Sequence, residues 1–355
     1  METFLPGLEL NRQFYAGVVR PLLDRHVPDL PYAAARVGDG SEVLGFDTEM
    51  STDHNWGPRL TLFLRAEDHH LGEDIRRLLA ASLPATFRGY PVFFAQSDGP
   101  FPVEHWVRPI TVADFVEATL GFTLEQPLTA ADWLSFPMQR LLEVTAGAVY
   151  HDGTGELTTL RQRLVFYPPD VWRYLLAAGW QRIGQAEHLL PRAGIVGDEL
   201  GSALIGSRLI RDVMTLCFLM ERRYAPYPKW FGTAFARLDC APLLTPLLWQ
   251  AQMAPAWPER NQALVAASEY LVRMHNALGI TAPLPERATP FHGRPFTVIH
   301  GESFVPIIQE SVTDPAVLAL FSRRPLGGID LISDNIDLLV DPAYRLAVRT
   351  LYEQH

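Results

Sequence analysis

Gly38-Asp39-Gly40-Ser41 leaves an apolar run at Tyr32 to Val37, and Ser51-Thr52-Asp53-His54-Asn55 follows shortly before a second run at Leu60 to Leu64. Backbone N–H groups in a small-residue turn can cradle phosphates. Mg²⁺ commonly takes one or two carboxylates plus substrate phosphates, so acids placed just beyond the turn suit a metal. Together they fit phosphoryl or nucleotidyl transfer, where catalysis is mostly positioning and charge neutralisation. Asp53 and its i+2 neighbour would share one side of a strand. That neighbour is Asn55, whose amide oxygen can ligate Mg²⁺ but brings no charge. The same residue types also make plain surface turns.

Further acids and bases compete for supporting roles. Glu104, just before a strand at Trp106–Thr111, is the first candidate for a third carboxylate, as metal ligand or as base toward an acceptor hydroxyl. Glu199, opening a long helix, is the second, with a helix-dipole contact as its structural alternative. Asp47 and Glu49 either fold back toward the metal or are solvated loop acids. Lys229 is the one lysine against 29 arginines. Prolines and aromatics surround it in Tyr224-Ala225-Pro226-Tyr227-Pro228-Lys229-Trp230-Phe231, which suits either a triphosphate contact or a helix-start lysine. Arg208 and Arg211 share a helix face and could serve likewise. His54 is expected on the opposite strand face from Asp53 and Asn55, in the core or supporting the site. No His/Cys cluster has zinc spacing, and no Walker A or dinucleotide fingerprint is present.

Bulk properties narrow the field. A chain of 355 residues with 48% hydrophobic and 20% charged residues is globular and long enough for two domains. A net charge of −10 argues against a general nucleic-acid or anionic-membrane binder. Cys217 and Cys240 lack CxxC spacing and sit among apolar neighbours, as buried reduced thiols would. The N-terminal residues do not read as a signal peptide, and no apolar run of about 18 residues is present, so a cytoplasmic protein is expected.

The elements that must position the turn are readable from periodicity. Residues 8–26 form an amphipathic helix pattern, Tyr32–Val37 and Leu60–Leu64 are strands, and Leu71–Leu83 is a helix. Tyr90–Ala95 and Trp106–Thr111 read as strands, and Thr111 with Asp114 as a capping box opening a helix through Leu120. Helical periodicity then dominates 130–146, 168–189, 196–224, 240–253 and 258–278, with 303–323 and 341–353 beyond. This divides the chain into an α/β domain at 1–125 and a helical domain at 126–355.

The Gly40-Ser41 pair and the Asp53-x-Asn55 pair resemble the nucleotidyltransferase superfamily pattern of a Gly-Ser turn followed by an Asp-x-Asp strand. Gly45-Phe46-Asp47 with Ser51–His54, Tyr167-Pro168-Pro169-Asp170-Val171-Trp172 and Arg223–Trp230 look like an uncharacterised bacterial domain-of-unknown-function family grouped with those enzymes. The resemblance spans nearly the whole chain and extends to the architecture of aminoglycoside nucleotidyltransferases. It implies an α+β fold, with a nucleotidyltransferase-like mixed sheet followed by a mostly helical part. It also implies ATP or another NTP held by Gly40, Ser41 and Lys229, and Mg²⁺ held by Asp53 and Asn55, with Asp53 and Glu104 in the catalytic roles. The nucleotidyl group would pass to a hydroxyl of a small molecule or, as the less favoured acceptor, of a protein, in a chain that could form a homodimer. Because Asn55 lacks a charge, the competing expectation is a catalytically degenerate nucleotide-binding or protein-interaction module.

Overall fold

The computed structural model describes residues 4–95, 103–123 and 126–353. The chain divides into two compact units, Met1–Pro127 with Gln139–Val165, and Leu128–Met138 with Phe166–His355. The architecture is α+β, as the resemblance implied.

The first unit is built on a mixed five-stranded sheet. Its strands are β1 (Tyr32–Arg36), β2 (Arg59–Leu64), β3 (Phe93–Phe94), β4 (Glu104–Thr111) and β5 (Ala148–Asp152), in the order β3-β4-β2-β1-β5. β2 runs parallel to β4, and the other neighbours are antiparallel. Period-two alternation gives the sheet two different faces. Leu60, Leu62, Leu64, Tyr32, Ala34 and Val107 pack on one side against Phe14, Val19, Leu23, Ile75 and Leu79. Those partners come from a continuous helical stretch, α1 (Gly7–Phe14) extended through His26 by a π turn, and from α2 (Gly72–Ser82). Burying each leucine on this face contributes about 2 kcal/mol. The intervening positions, Arg59 and Thr61 on β2 and their register partners Trp106 and Arg108 on β4, belong to the other face.

Thr111 caps α3 (Val112–Leu120) as expected, its hydroxyl oxygen accepting from the Asp114 N–H at 3.0 Å. Asp114 bonds the Thr111 hydroxyl at 2.6 Å, and Gly121 at φ +59° ends the helix.

The second unit is helical. Its main elements are α5 (Pro169–Glu187), α6 (Glu199–Met220), α7 (Pro228–Phe235), α8 (Ala241–Met253) and α9 (Trp257–Ala277), within a few residues of the periodic segments. α5 packs against α6, with Trp172 Nε1 donating to the Leu219 carbonyl at 2.7 Å and Gly179 leaving room for Leu216. Two readings need correction. The 130–146 pattern is two helices, Ala130–Ser135 and α4 (Met138–Thr145), broken at Pro137, which disfavours helix in the residue before it. The 303–323 pattern is likewise interrupted before Pro315, where the Asp170 carboxylate takes the N–H groups of Thr313 and Asp314. Among the described residues no helix is long and apolar enough to cross a membrane.

Candidate functional site

The turn leaving β1 is built on two glycines with left-handed backbone, Gly38 at φ +90° and Gly40 at φ +126°. Gly38 N–H donates to the Glu143 carbonyl at 2.7 Å, which fixes the start of the turn. Gly40 is required for space as well. A Cβ there would lie 2.5 Å from Glu42 Oε2 and 2.7 Å from Arg36 Nη2. Residues 41–45 continue as a turn, closed by Gly45 N–H to the Glu42 carbonyl and Phe46 N–H to the Ser41 carbonyl. Among the described residues no acceptor takes the N–H of Gly40 or Ser41.

Beneath the turn lies a charged cluster. Glu42, 1% exposed, receives Arg36 Nε at 3.0 Å and Arg59 Nη2 at 2.6 Å on one oxygen. Burial alone would raise the Glu42 carboxyl, but the two guanidiniums hold it below its ordinary range. Both arginines also donate to the Asp39 carbonyl. Desolvation likewise raises the Asp39 carboxyl, and Arg59, Arg36 and Arg108 together outweigh it and lower it. Arg59 and Arg108 lie over the Trp106 ring, with Cζ atoms 5.2 and 5.0 Å from its centroid. The Arg59 N–H is held by Asn11 Oδ1 at 2.6 Å, which ties the start of β2 to α1. Three guanidiniums therefore face two carboxylates at the end of β1. Arginine is suited to such a place, since its planar fork matches phosphate geometry.

The arginines escaped the sequence reading. Arg36 and Arg59 end one apolar run and open the next, and only the register brings them to the turn. The strand expected to carry Asp53 and Asn55 begins only at Arg59, after both of them.

The expected metal residues are elsewhere. Asp53 ends a 3-10 turn, Glu49–Asp53, and does not lie on a strand. Gly57 and Pro58 separate it from β2, and Asn55 has φ +48°, so the two side chains do not share a strand face. His54 is exposed, not in the core, and its Nδ1 lies 2.8 Å from Asp53 Oδ1. Asp47 is a structural clip: one oxygen accepts from Gly7 N–H at 2.7 Å and from Trp56 Nε1 at 3.0 Å. Glu104 lies at the exposed start of β4, 3.2 Å from Arg76. Glu199 binds the Trp257 N–H and Arg260 within the helical unit. Lys229 lies in the first turn of α7, its Nζ 5.0 Å from the Trp230 ring. Arg211 pairs with Asp334 at 2.9 Å. Among the described residues no group of three His, Cys, Asp or Glu side chains is gathered to hold a metal ion. Asp53 and Asn55 are thus not gathered with a third acid into a preformed Mg²⁺ site among the described residues. Cys217 and Cys240 are buried and free.

One family model matches the middle of the chain. Residues 133–231 match DUF4037, a domain of unknown function. Two of the three phrases that carried the resemblance, Tyr167–Trp172 and Arg223–Trp230, lie inside the DUF4037 match, and the Gly45–His54 phrase lies outside it. No curated protein matches the chain. The crystal structure of a nucleotidyltransferase-like protein from Exiguobacterium sibiricum 255-15 aligns over 89% of this chain and 92% of its own, with a TM-score of 0.34 and 10% identity.

Proposed function

We propose that this chain is a nucleotidyltransferase-like protein that holds a nucleotide's phosphates at the Gly38–Ser41 turn, as a binding module. The observation that carries the reading is the set of three guanidiniums, Arg36, Arg59 and Arg108, acting on Asp39 beside the N–H groups of Gly40 and Ser41. Arg36 and Arg59 are already engaged by Glu42, so they set the turn's shape and field. Arg108 is the exposed member and supplies the direct contact.

No transfer step is routed through a metal, because the acids as placed do not make a site for one. Nucleotidyl transfer from ATP or another NTP to a small-molecule hydroxyl, with Mg²⁺ at Asp53 and Asn55 and Glu104 as base, is the second reading. One observation favours it: the Asp53 side chain is 61% exposed, so a cation can reach it without unfolding the chain.

Calorimetry separates the readings. ATP should bind without Mg²⁺, and Arg108→Ala should weaken binding about tenfold, the scale of one charge-assisted phosphate contact. No ATP binding by the wild type, with or without Mg²⁺, would overturn both readings. Transfer of a labelled nucleotide to any acceptor, strengthened in Asn55→Asp, would establish the second.

A further inference from the structure

Two helices of the second unit present apolar side chains to solvent where the sequence pattern promises burial. Val196, just before α6, and Leu200 and Leu204 within it step four residues apart and are 80%, 73% and 65% exposed. Later members of the same periodicity, Leu209, Val213, Leu216 and Leu219, are buried. On α8, Ala241, Leu244, Leu248 and Ala251 face inward. Trp249 and Met253, four residues apart, share an outer face at 61% and 72% exposure, and Leu243, 60% exposed, lies toward the other edge of the outward side. The two helices adjoin, since Ser207 of α6 hydrogen-bonds Gln252 of α8 at 3.2 Å.

α8 also carries no charged residue in thirteen positions, Ala-Pro-Leu-Leu-Thr-Pro-Leu-Leu-Trp-Gln-Ala-Gln-Met, although a fifth of the chain is charged. A helix meant to face water on that side would be patterned with charges. Scattered apolar residues on a surface need no explanation, but a contiguous patch of this size does.

We infer that the α6–α8 face is the interface of a homodimer, in which the two helices of each copy pack as a four-helix layer. Area supports a second copy as the occupant. Six side chains more than half exposed offer on the order of 800 Å², what one partner of a standard interface buries. Charge supports it too. Asp198 is exposed at the start of α6 and Arg208 two to three turns later. An antiparallel crossing of α6 on its copy, about a twofold axis near Leu204, sets the acid of each against the arginine of the other. A twofold contact of one patch on itself closes the assembly at two copies. The chain's net charge of −10 disfavours an anionic bilayer as the alternative cover.

Sedimentation equilibrium on the full chain at micromolar concentration tests the inference. The expected mass is twice 39.8 kDa. Leu204→Glu with Trp249→Glu should weaken dimerisation by at least about a hundredfold, because buried Trp anchors dominate interfaces. The far-ultraviolet spectrum and thermal midpoint of the monomer should be retained, as both side chains lie on the surface. Arg208→Glu should weaken the dimer by about tenfold, less so at high salt. A monomeric wild type, a dimer indifferent to the double substitution, or flotation of a monomeric chain with phosphatidylcholine–phosphatidylglycerol vesicles would each overturn the proposal.

Discussion

An alanine at position 40 must put its methyl group among Glu42, Arg36 and Arg59, on a backbone at φ +126° that L side chains rarely adopt. Both penalties fall on one residue, so Gly40→Ala should destabilise the first unit by about 2–4 kcal/mol in urea unfolding. Glu42 is the counterpart. Its carboxylate is the common partner of two buried guanidiniums, and breaking such a group by removing one partner costs about 3–5 kcal/mol. Glu42→Gln should therefore unfold at lower denaturant, and should reduce ATP affinity by freeing the turn. A Glu42→Gln chain of wild-type stability would mean that the arginines find other partners at no cost. The sequence displayed Gly40 and Ser41 as a turn. It could not display Arg36 and Arg59 as its support, because their meeting depends on the pairing of β1 with β2.

Elements were legible where the chain repeats itself and obscure where long-range contacts choose. The helices α5, α8 and α9 followed their apolar periodicity to within about two residues and α6 to within about four, since a buried stripe at helical spacing has few other solutions. β5 was missed: Ala148–Asp152 is five residues long, half-buried throughout, and lies at a sheet edge next to a helical pattern. Asp53 was misplaced for a related reason. Acids so close to an apolar run were read as part of its strand, whereas Gly57-Pro58 delays the strand to Arg59. The loop between is organised by Asp47, whose two hydrogen bonds reach Gly7 and Trp56. Asp47→Ala leaves those donors unpaired, at about 1–3 kcal/mol in total. Hydrogen exchange should accelerate across 46–56 and at the start of α1 while β1 and β2 keep their protection. Uniform loss of protection over the sheet would refute this local role.

Acidity acts on the molecule as a whole, and in the second unit it acts in two directions. Burial holds His275 down to about 4, from 6.5. Geometry agrees, because Trp180 Nε1 donates to His275 Nδ1 at 3.3 Å, and Thr281, whose hydroxyl donates to a carbonyl, accepts from Nε2. A histidine lowered in the fold contributes stability that is full above pH 6.5 and lost as pH falls through 4, about 3 kcal/mol in all. Glu187 runs the other way. Burial raises it from 4.5 to about 7, against the N–H groups of Ile299 and Gly301 that favour its ionised form. Its contribution is full below pH 4.5 and lost as pH rises through 7, again about 3 kcal/mol. Asp330, raised by burial to about 6, adds to the same loss. Two acids outweigh one histidine, so stability of this unit should decline modestly from pH 4.5 to 7. His275→Gln should steepen that decline, and Glu187→Gln should flatten it, when thermal midpoints are followed across the range. The slopes carry the test, because each substitution also shifts the absolute midpoint by disturbing its hydrogen bonds. An unchanged slope in Glu187→Gln would mean that the two backbone N–H groups keep the carboxylate ionised in the fold despite its burial.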